Sequence, residues 1–354
     1  MAAKTLPIHL QPPITGYLHH AYSLSILANH QAYLPWFCSQ YIQLIAPRQG
    51  VEGGLNFYIH PVHPLVLSPL LDIQWMNREI AARTRGGIVA FVKDALAAAY
   101  YVEVFADEFY IPHRKSYQRA HFVHDVLVFG FDDKMGSFDI IGFDERGNYT
   151  TSKIGFSAFE KAFNGVDLSA VDSRVSNWPT KVWLAKYLAG AGCDFDPICV
   201  LEQLRDYLSG SNPAARLRLL HNPAGGDANV GIRRRVENIY GVQVYKKLDF
   251  HLGVLLHNPR FCNPTTWRIL WEHKKCMGMR IRFMEDSGYL DSSCGLRGEY
   301  REIEESAAVL HRMMFKFACR PAASLGLRAA LRLREIAGRE SAALERLVAG
   351  LGRG

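Results

Sequence analysis

Ala120-His-Phe-Val-His-Asp-Val-Leu-Val-Phe-Gly-Phe-Asp-Asp (residues 120–133) is followed after a short turn by Phe138-Asp-Ile-Ile-Gly-Phe-Asp-Glu-Arg-Gly (residues 138–147). Residues 122–131 are dense in β-branched and aromatic side chains, the composition that fits a pleated, half-buried surface. Asp132-Asp-Lys-Met-Gly-Ser is a turn, 138–143 the next strand, and Glu145-Arg-Gly-Asn a second turn into 149–154. The stretch therefore predicts a three-stranded antiparallel meander, with a helix beginning at 157–163.

Upstream, residues 37–46 have the length and apolar spacing of a buried helix, with Pro35 near its start and Cys38 at its N-terminal end. Residues 53–61 read as a turn and short strand. Amphipathic helices are predicted over 72–82, with Asp72 as cap, and over 88–98, leading into a strand at 100–106. Downstream the character changes. Residues 181–190, 197–210, 214–220, 232–252, 265–285, 300–319 and 325–351 read as helices, interrupted by the Gly/Pro-rich loop 222–229. The class is α+β, with a core of helices packed on an antiparallel sheet over residues 1–168 and an all-α domain over 169–354.

The chain has 354 residues and a formal net charge of +7. It has no run of the ~18 apolar residues that a membrane span needs, and no charged-then-apolar leader at its start. The expectation is a cytoplasmic protein that does not enter a membrane. Seven cysteines at irregular spacing, with no Cys-x-x-Cys pair, argue against a disulfide framework or a structural zinc. No metal or other cofactor is implied. The basic residues are dispersed, and no helix-turn-helix or zinc-finger pattern accompanies them, so nucleic acid is not the expected partner.

A thiol is weakly ionised at neutral pH, so a nucleophilic cysteine needs a base or a helix N-terminus beside it. A histidine serves as that base when a carboxylate fixes its tautomer. Cys38 is the only cysteine before the strand-rich stretch, and His124 with Asp144 occupies strand ends that antiparallel pairing can bring together. Ser39 is an alternative nucleophile, His121 an alternative base on the opposite strand face, and Asp139 an alternative to Asp144. Asp144 beside its turn also suits simple backbone capping. Asp107 and Glu108 read as a polar strand end.

The order of these motifs resembles the bacteriocin-processing type of papain-like cysteine peptidase and the related butirosin-biosynthesis type of acyltransferase. In those families a histidine opens a strand that runs into Gly-(aromatic)-Asp, and a second strand ends in Asp before a Gly-containing turn. His124, Gly130, Phe131 and Asp132 match the first pattern, and Asp144 and Gly147 the second, with Glu145 where a proline is usual. The resemblance spans roughly residues 20–165 and selects His124 over His121. It implies a papain-like fold with Cys38, His124 and Asp144 as catalytic residues and Gln31 as the nearest oxyanion-hole candidate. It further implies acyl or peptidyl transfer in secondary metabolism. The donor would be a thioester on an acyl or peptidyl carrier protein and the route a cysteine acyl-enzyme, ending on a small-molecule amine, an internal nucleophile or water. Carrier proteins are acidic, which makes Arg233, Arg234, Arg235, Lys274 and Lys275 docking candidates; on helices the same residues also suit a solvated face. A non-catalytic papain-like scaffold that binds a biosynthetic partner or product is the alternative.

Overall fold

The computed structural model describes residues 3–51, 53–58, 68–170, 178–213 and 238–352. Its first elements are β1 (Ala3–Thr5), α1 (Leu18–Leu27), α2 (Leu34–Ser39), β2 (Leu44–Pro47), β3 (Asn56–Phe57) and β4 (Leu71–Asn77). There follow α3 (Arg78–Ala82), α4 (Gly87–Ala97), β5 (Tyr101–Asp107), β6 (Val123–Asp132), β7 (Ser137–Phe143), β8 (Tyr149–Gly155) and α5 (Phe156–Asn164). The chain continues through β9 (Lys181–Tyr187), α6 (Pro197–Ser209), β10 (Asn238–Tyr240), α7 (Val244–His257), α8 (Pro264–Asp286), α9 (Leu296–Cys319) and α10 (Ala323–Leu351). The protein is mixed α+β, with an antiparallel sheet and a helical C-terminal region. Among the described residues no helix is long and apolar enough to cross a membrane.

The contacts divide the chain into two units that interleave along the sequence. One takes the described residues within Met1–Tyr33 and Val62–Gly192. The other takes those within Leu34–Pro61, Cys193–Leu220 and Val230–Gly354. The expected boundary at 168/169 thus falls inside the first unit, and the segment that carries Cys38 belongs to the second.

The first unit is built on a seven-stranded antiparallel sheet of order β4-β9-β5-β6-β7-β8, with β1 also paired to β6. The expected meander is its β6–β8 part. Two strands replace predicted helices. Residues 72–82 divide into β4 and the short α3, and 181–187 form β9, which lies between β4 and β5 and pairs with β4 along its whole length, Leu71↔Tyr187 to Asn77↔Lys181. Each of these segments has apolar residues that suit either period; pairing with a strand more than a hundred residues away decides between them. The central strands β5 and β6 are buried nearly throughout, as strands covered on both faces must be. Tyr22 of α1 anchors one face, its hydroxyl donating to the carbonyls of Asp125 (3.0 Å) and Ile141 (3.3 Å).

Gly130 explains itself sterically. A Cβ there would lie 2.7 Å from Asp139 Oδ2 and 3.0 Å from both the Lys4 carbonyl and Thr5 Oγ1. β1 and β7 close on β6 at this point, beside the register shift between Val128 and Gly130.

In the second unit the predicted helix over 37–46 is instead the six-residue α2 followed by β2, which pairs with β3 and β10. The long helices expected over 265–285, 300–319 and 325–351 are α8, α9 and α10. α8 begins in the expected manner for a helix after Asn-Pro: the Asn263 side chain accepts from the Thr265 N–H (3.0 Å), and Pro264 needs no amide partner. The predicted helix 214–220, the loop 222–229 and residues 232–237 lie outside the described residues.

Candidate active site

β5 ends on Asp107, which pairs across the sheet with Val123 of β6. The loop joining the two strands leaves and returns at that point, so residues just outside the ladder meet. The Asp107 carboxylate is 1% exposed, and its Oδ1 accepts the N–H groups of Phe109 (3.0 Å) and Phe122 (3.1 Å). Its Oδ2 lies 2.5 Å from His121 Nδ1. The His121 side chain is 69% exposed and stacks on Phe109, with ring centroids 4.5 Å apart and 21° between planes. The loop is strapped by Glu108 N–H to the Phe122 carbonyl (2.9 Å) and Gln118 N–H to the Phe109 carbonyl (3.1 Å). Gly165, after α5, lets the chain close against the pair: a Cβ there would sit 3.0 Å from the Tyr110 ring and 3.4 Å from Asp107 Oδ2.

In the neutral ring, a buried carboxylate facing Nδ1 places the proton on that nitrogen and the lone pair on Nε2, and most of the side chain is open to solvent. That is the tautomer and orientation of a general base. The aromatic platform limits ring rotation, and the two backbone donors fix the carboxylate. Sequence reading placed Asp107 at a polar strand end and selected His124. The signal that distinguishes His121 is topological: an acid on the last residue of one strand and a histidine two residues before the pairing begins on the next.

His124 lies on β6 opposite Ala106. Its Nδ1 is 3.1 Å from Asp125 Oδ1 and 3.9 Å from Glu108 Oε1, ion-pair distances without hydrogen-bond geometry. The ring stacks on Phe122 at 5.5 Å. Asp144 follows the last residue of β7. Extending the Leu127↔Ile141 register would set it opposite His124, but the ladder stops at that pair. Asp144 Oδ1 instead accepts the N–H groups of Arg146 (2.9 Å) and Asn148 (2.8 Å), and Oδ2 accepts from the Asn148 side chain (3.1 Å). Slight desolvation opposes ionisation there, yet these hydrogen bonds hold the carboxyl below its usual range. No hydrogen bond or ion pair joins Asp144 to His124, so the carboxylate serves its own turn.

Cys38 sits in the second unit as the fifth residue of the six-residue α2, near the helix's C-terminal end, where the dipole opposes a thiolate. It is fully buried, and burial pushes its thiol up to about 11 against the pull of Arg280. The Cys38 carbonyl accepts from Arg280 Nε at 2.7 Å, which ties α2 to α8. Ser39 Oγ donates to the Pro35 carbonyl (2.9 Å) and accepts the Asp196 N–H (3.0 Å). Gln31 is exposed in a single helical turn, Gln31–Tyr33, of the first unit. All seven cysteines of the sequence fall within the second unit; the first has none.

Lys274, expected on a solvated face, corrects that expectation. It is fully buried on α8, its ammonium 2.6 and 2.7 Å from the two oxygens of Glu340. Such a charge is already matched inside the helical bundle and has nothing left to offer a partner. Lys275 is half-buried, and Arg233, Arg234 and Arg235 lie outside the described residues. Among the described residues no group of three or more His, Cys, Asp or Glu side chains is placed to hold a metal ion. No protein-family model matches the chain, and no curated protein matches its sequence.

Proposed function

We propose that the protein is an acyltransferase of papain-like type in which His121, oriented by Asp107, is the general base and no cysteine carries the acyl group. The observation that supports this is the His121–Asp107 pair, 2.5 Å apart with the acid buried and the imidazole exposed. The donor is a thioester on a carrier protein and the acceptor a small-molecule amine, an internal nucleophile or water, both taken from the family resemblance.

In the step itself, His121 Nε2 removes the acceptor's proton as its nitrogen or oxygen attacks the thioester carbon. Asp107 stabilises the imidazolium that forms. The tetrahedral intermediate collapses with breakage of the C–S bond, and the imidazolium returns the proton to the departing thiolate. A thioester is activated enough for direct transfer, which removes the need for a thiol nucleophile. The burial and raised pKa of Cys38 agree with that economy.

A second reading, a non-catalytic binding scaffold, is favoured by the absence of cysteine from the sheet unit. An N-acetylcysteamine thioester with a panel of amine acceptors separates the two. General-base transfer requires turnover that Cys38→Ala retains and that His121→Ala lowers by about 10²–10³-fold. Intact-mass spectra should show no acyl adduct at any point. Loss of turnover in Cys38→Ala with a covalent adduct in the wild type returns the mechanism to Cys38. An absence of turnover throughout leaves the scaffold.

A further inference from the structure

α9 and α10 are joined by only Arg320–Ala322, an αα-hairpin within the second unit. Farther from the connecting loop, several surface cations of this hairpin are matched. Arg297 meets Asp286 (2.9 Å), Arg334 meets Asp249 (3.0 Å), Arg339 meets Glu302 (2.7 Å) and Arg346 meets Glu299. The tip is different. A groove of about 390 Å³ is lined there by Lys316, Arg320, Ser324 and Arg328 with Pro321 and Leu325, and no carboxylate contributes to it. None of its three cations has a side-chain hydrogen bond or ion pair among the described residues. A second, smaller groove shares Arg328 and adds Met313, Leu331, Arg332 and Glu335, an acid with no ion pair among the described residues. Around them Phe315, Leu327 and Leu331 stand 55%, 56% and 66% exposed.

Three like charges around one concavity repel each other, and exposed large apolar side chains on adjacent turns gain nothing from water. Both costs are relieved by one kind of occupant. We propose that the α9–α10 tip docks an acidic amphipathic helix presented by a partner protein. Leu327 and Leu331, one turn apart, cover the apolar stripe of such a helix, and Lys316, Arg320 and Arg328 meet its carboxylates. A concave groove takes a convex rod, whereas a bilayer is entered by apolar groups projecting in one plane. A nucleic acid duplex asks for a longer track of cations without leucines among them. The inference does not depend on the acyl-transfer reading.

The test uses the full chain and a fluorescein-labelled synthetic helix with leucines at i and i+4 flanked by glutamates, read by anisotropy. Its lysine analogue, vesicles of anionic phospholipid and a single-stranded oligonucleotide are the competitors. The acidic peptide should bind, more weakly as salt rises. The double variant Arg320→Glu/Arg328→Glu should lose about tenfold or more in affinity, and Leu327→Ser/Leu331→Ser should weaken binding at unchanged charge. All four positions are exposed or at the groove lip, so circular dichroism melts should match the wild type. Three results would overturn the proposal: equal binding of the lysine analogue, affinity unmoved by both double variants, or tighter binding of vesicles or oligonucleotide through the same residues.

Discussion

His121 and Lys274 each face a carboxylate that the fold has buried, and they differ in what is left over once the contact is made. Around Glu340 nothing is left. Lys274 approaches both carboxylate oxygens, and the hydroxyls of Tyr207 (3.1 Å), Tyr245 (2.6 Å) and Tyr300 (2.5 Å) donate to them as well. His273 completes the set, with Nε2 facing the Ile42 carbonyl at 2.7 Å and Nδ1 2.9 Å from the Lys274 ammonium. Around Asp107 one nitrogen of His121 remains open to solvent. A closed polar network specifies packing; a network with one free, oriented lone pair is equipped for proton transfer.

The largest expected effect breaks the closed network. Glu340→Ala strands the Lys274 ammonium and three tyrosine hydroxyls in the interior, and urea denaturation should show a loss of roughly 3–5 kcal/mol. A variant that unfolds at the wild-type midpoint would mean that the cluster carries no structural load.

Acidification should loosen the same cluster by titration. Burial, with Lys274 alongside, lowers His273 to about 3 from an ordinary 6.5. The unfolded chain therefore takes up that proton first, and stability falls as pH drops from about 6.5 towards 3. Burial alone would raise Glu340, but Lys274, His273 and the hydrogen bonds hold it at about 2 against an ordinary 4.5. Its contribution is present above about 4.5 and is lost as pH falls towards 2. Both signs agree, so calorimetric melting temperatures should decline monotonically below pH about 6.5. In Glu340→Gln the lower part of that decline should be shallower.

The two regions were unequally legible in the sequence. The β6–β8 meander shows because its turns carry strong local chemistry, Asp-Asp-Lys-Met-Gly and Glu-Arg-Gly-Asn, between alternating strands. β4 and β9 do not show, because Ile73, Met76 and Ile80 fit a helical stripe, and the run Val182–Ala185 is too short for its period to be read. The burial of Lys274 is invisible without Glu340, which lies on another helix at a separation that no local pattern spans. The position of Cys38 within its helix is hidden for a related reason. The apolar run after it continues through a strand and so reads as one helix starting near Phe37, whereas α2 begins at Leu34 and is nearly over at Cys38. His121 is legible as a candidate base, but the spacing to Gly130 selects His124. That glycine is required where β1 and β7 close on β6, whichever histidine acts.

The smaller effects belong to the open pair, where the acid and the base should separate cleanly. Asp107→Ala removes the acceptor of two backbone N–H groups in a buried position, and should cost about 1–3 kcal/mol in addition to abolishing the orientation of His121. Asp107→Asn keeps an oxygen for those donors, so it should recover most of the stability and little of the activity. His121→Ala removes an exposed ring and should change stability by no more than about 0.5 kcal/mol. Were His121 a structural residue, its loss would register in the denaturation curve and leave thioester turnover in proportion to the folded fraction. The expected pattern is the reverse: an unchanged midpoint, an unchanged far-ultraviolet spectrum and lost turnover, with His124→Ala retaining activity because its Nδ1 lacks a hydrogen-bonded carboxylate to orient it. If His124→Ala is the variant that loses turnover while His121→Ala retains it, the base is the histidine that opens the β6 pattern, and the Asp107 pair is a loop fastening.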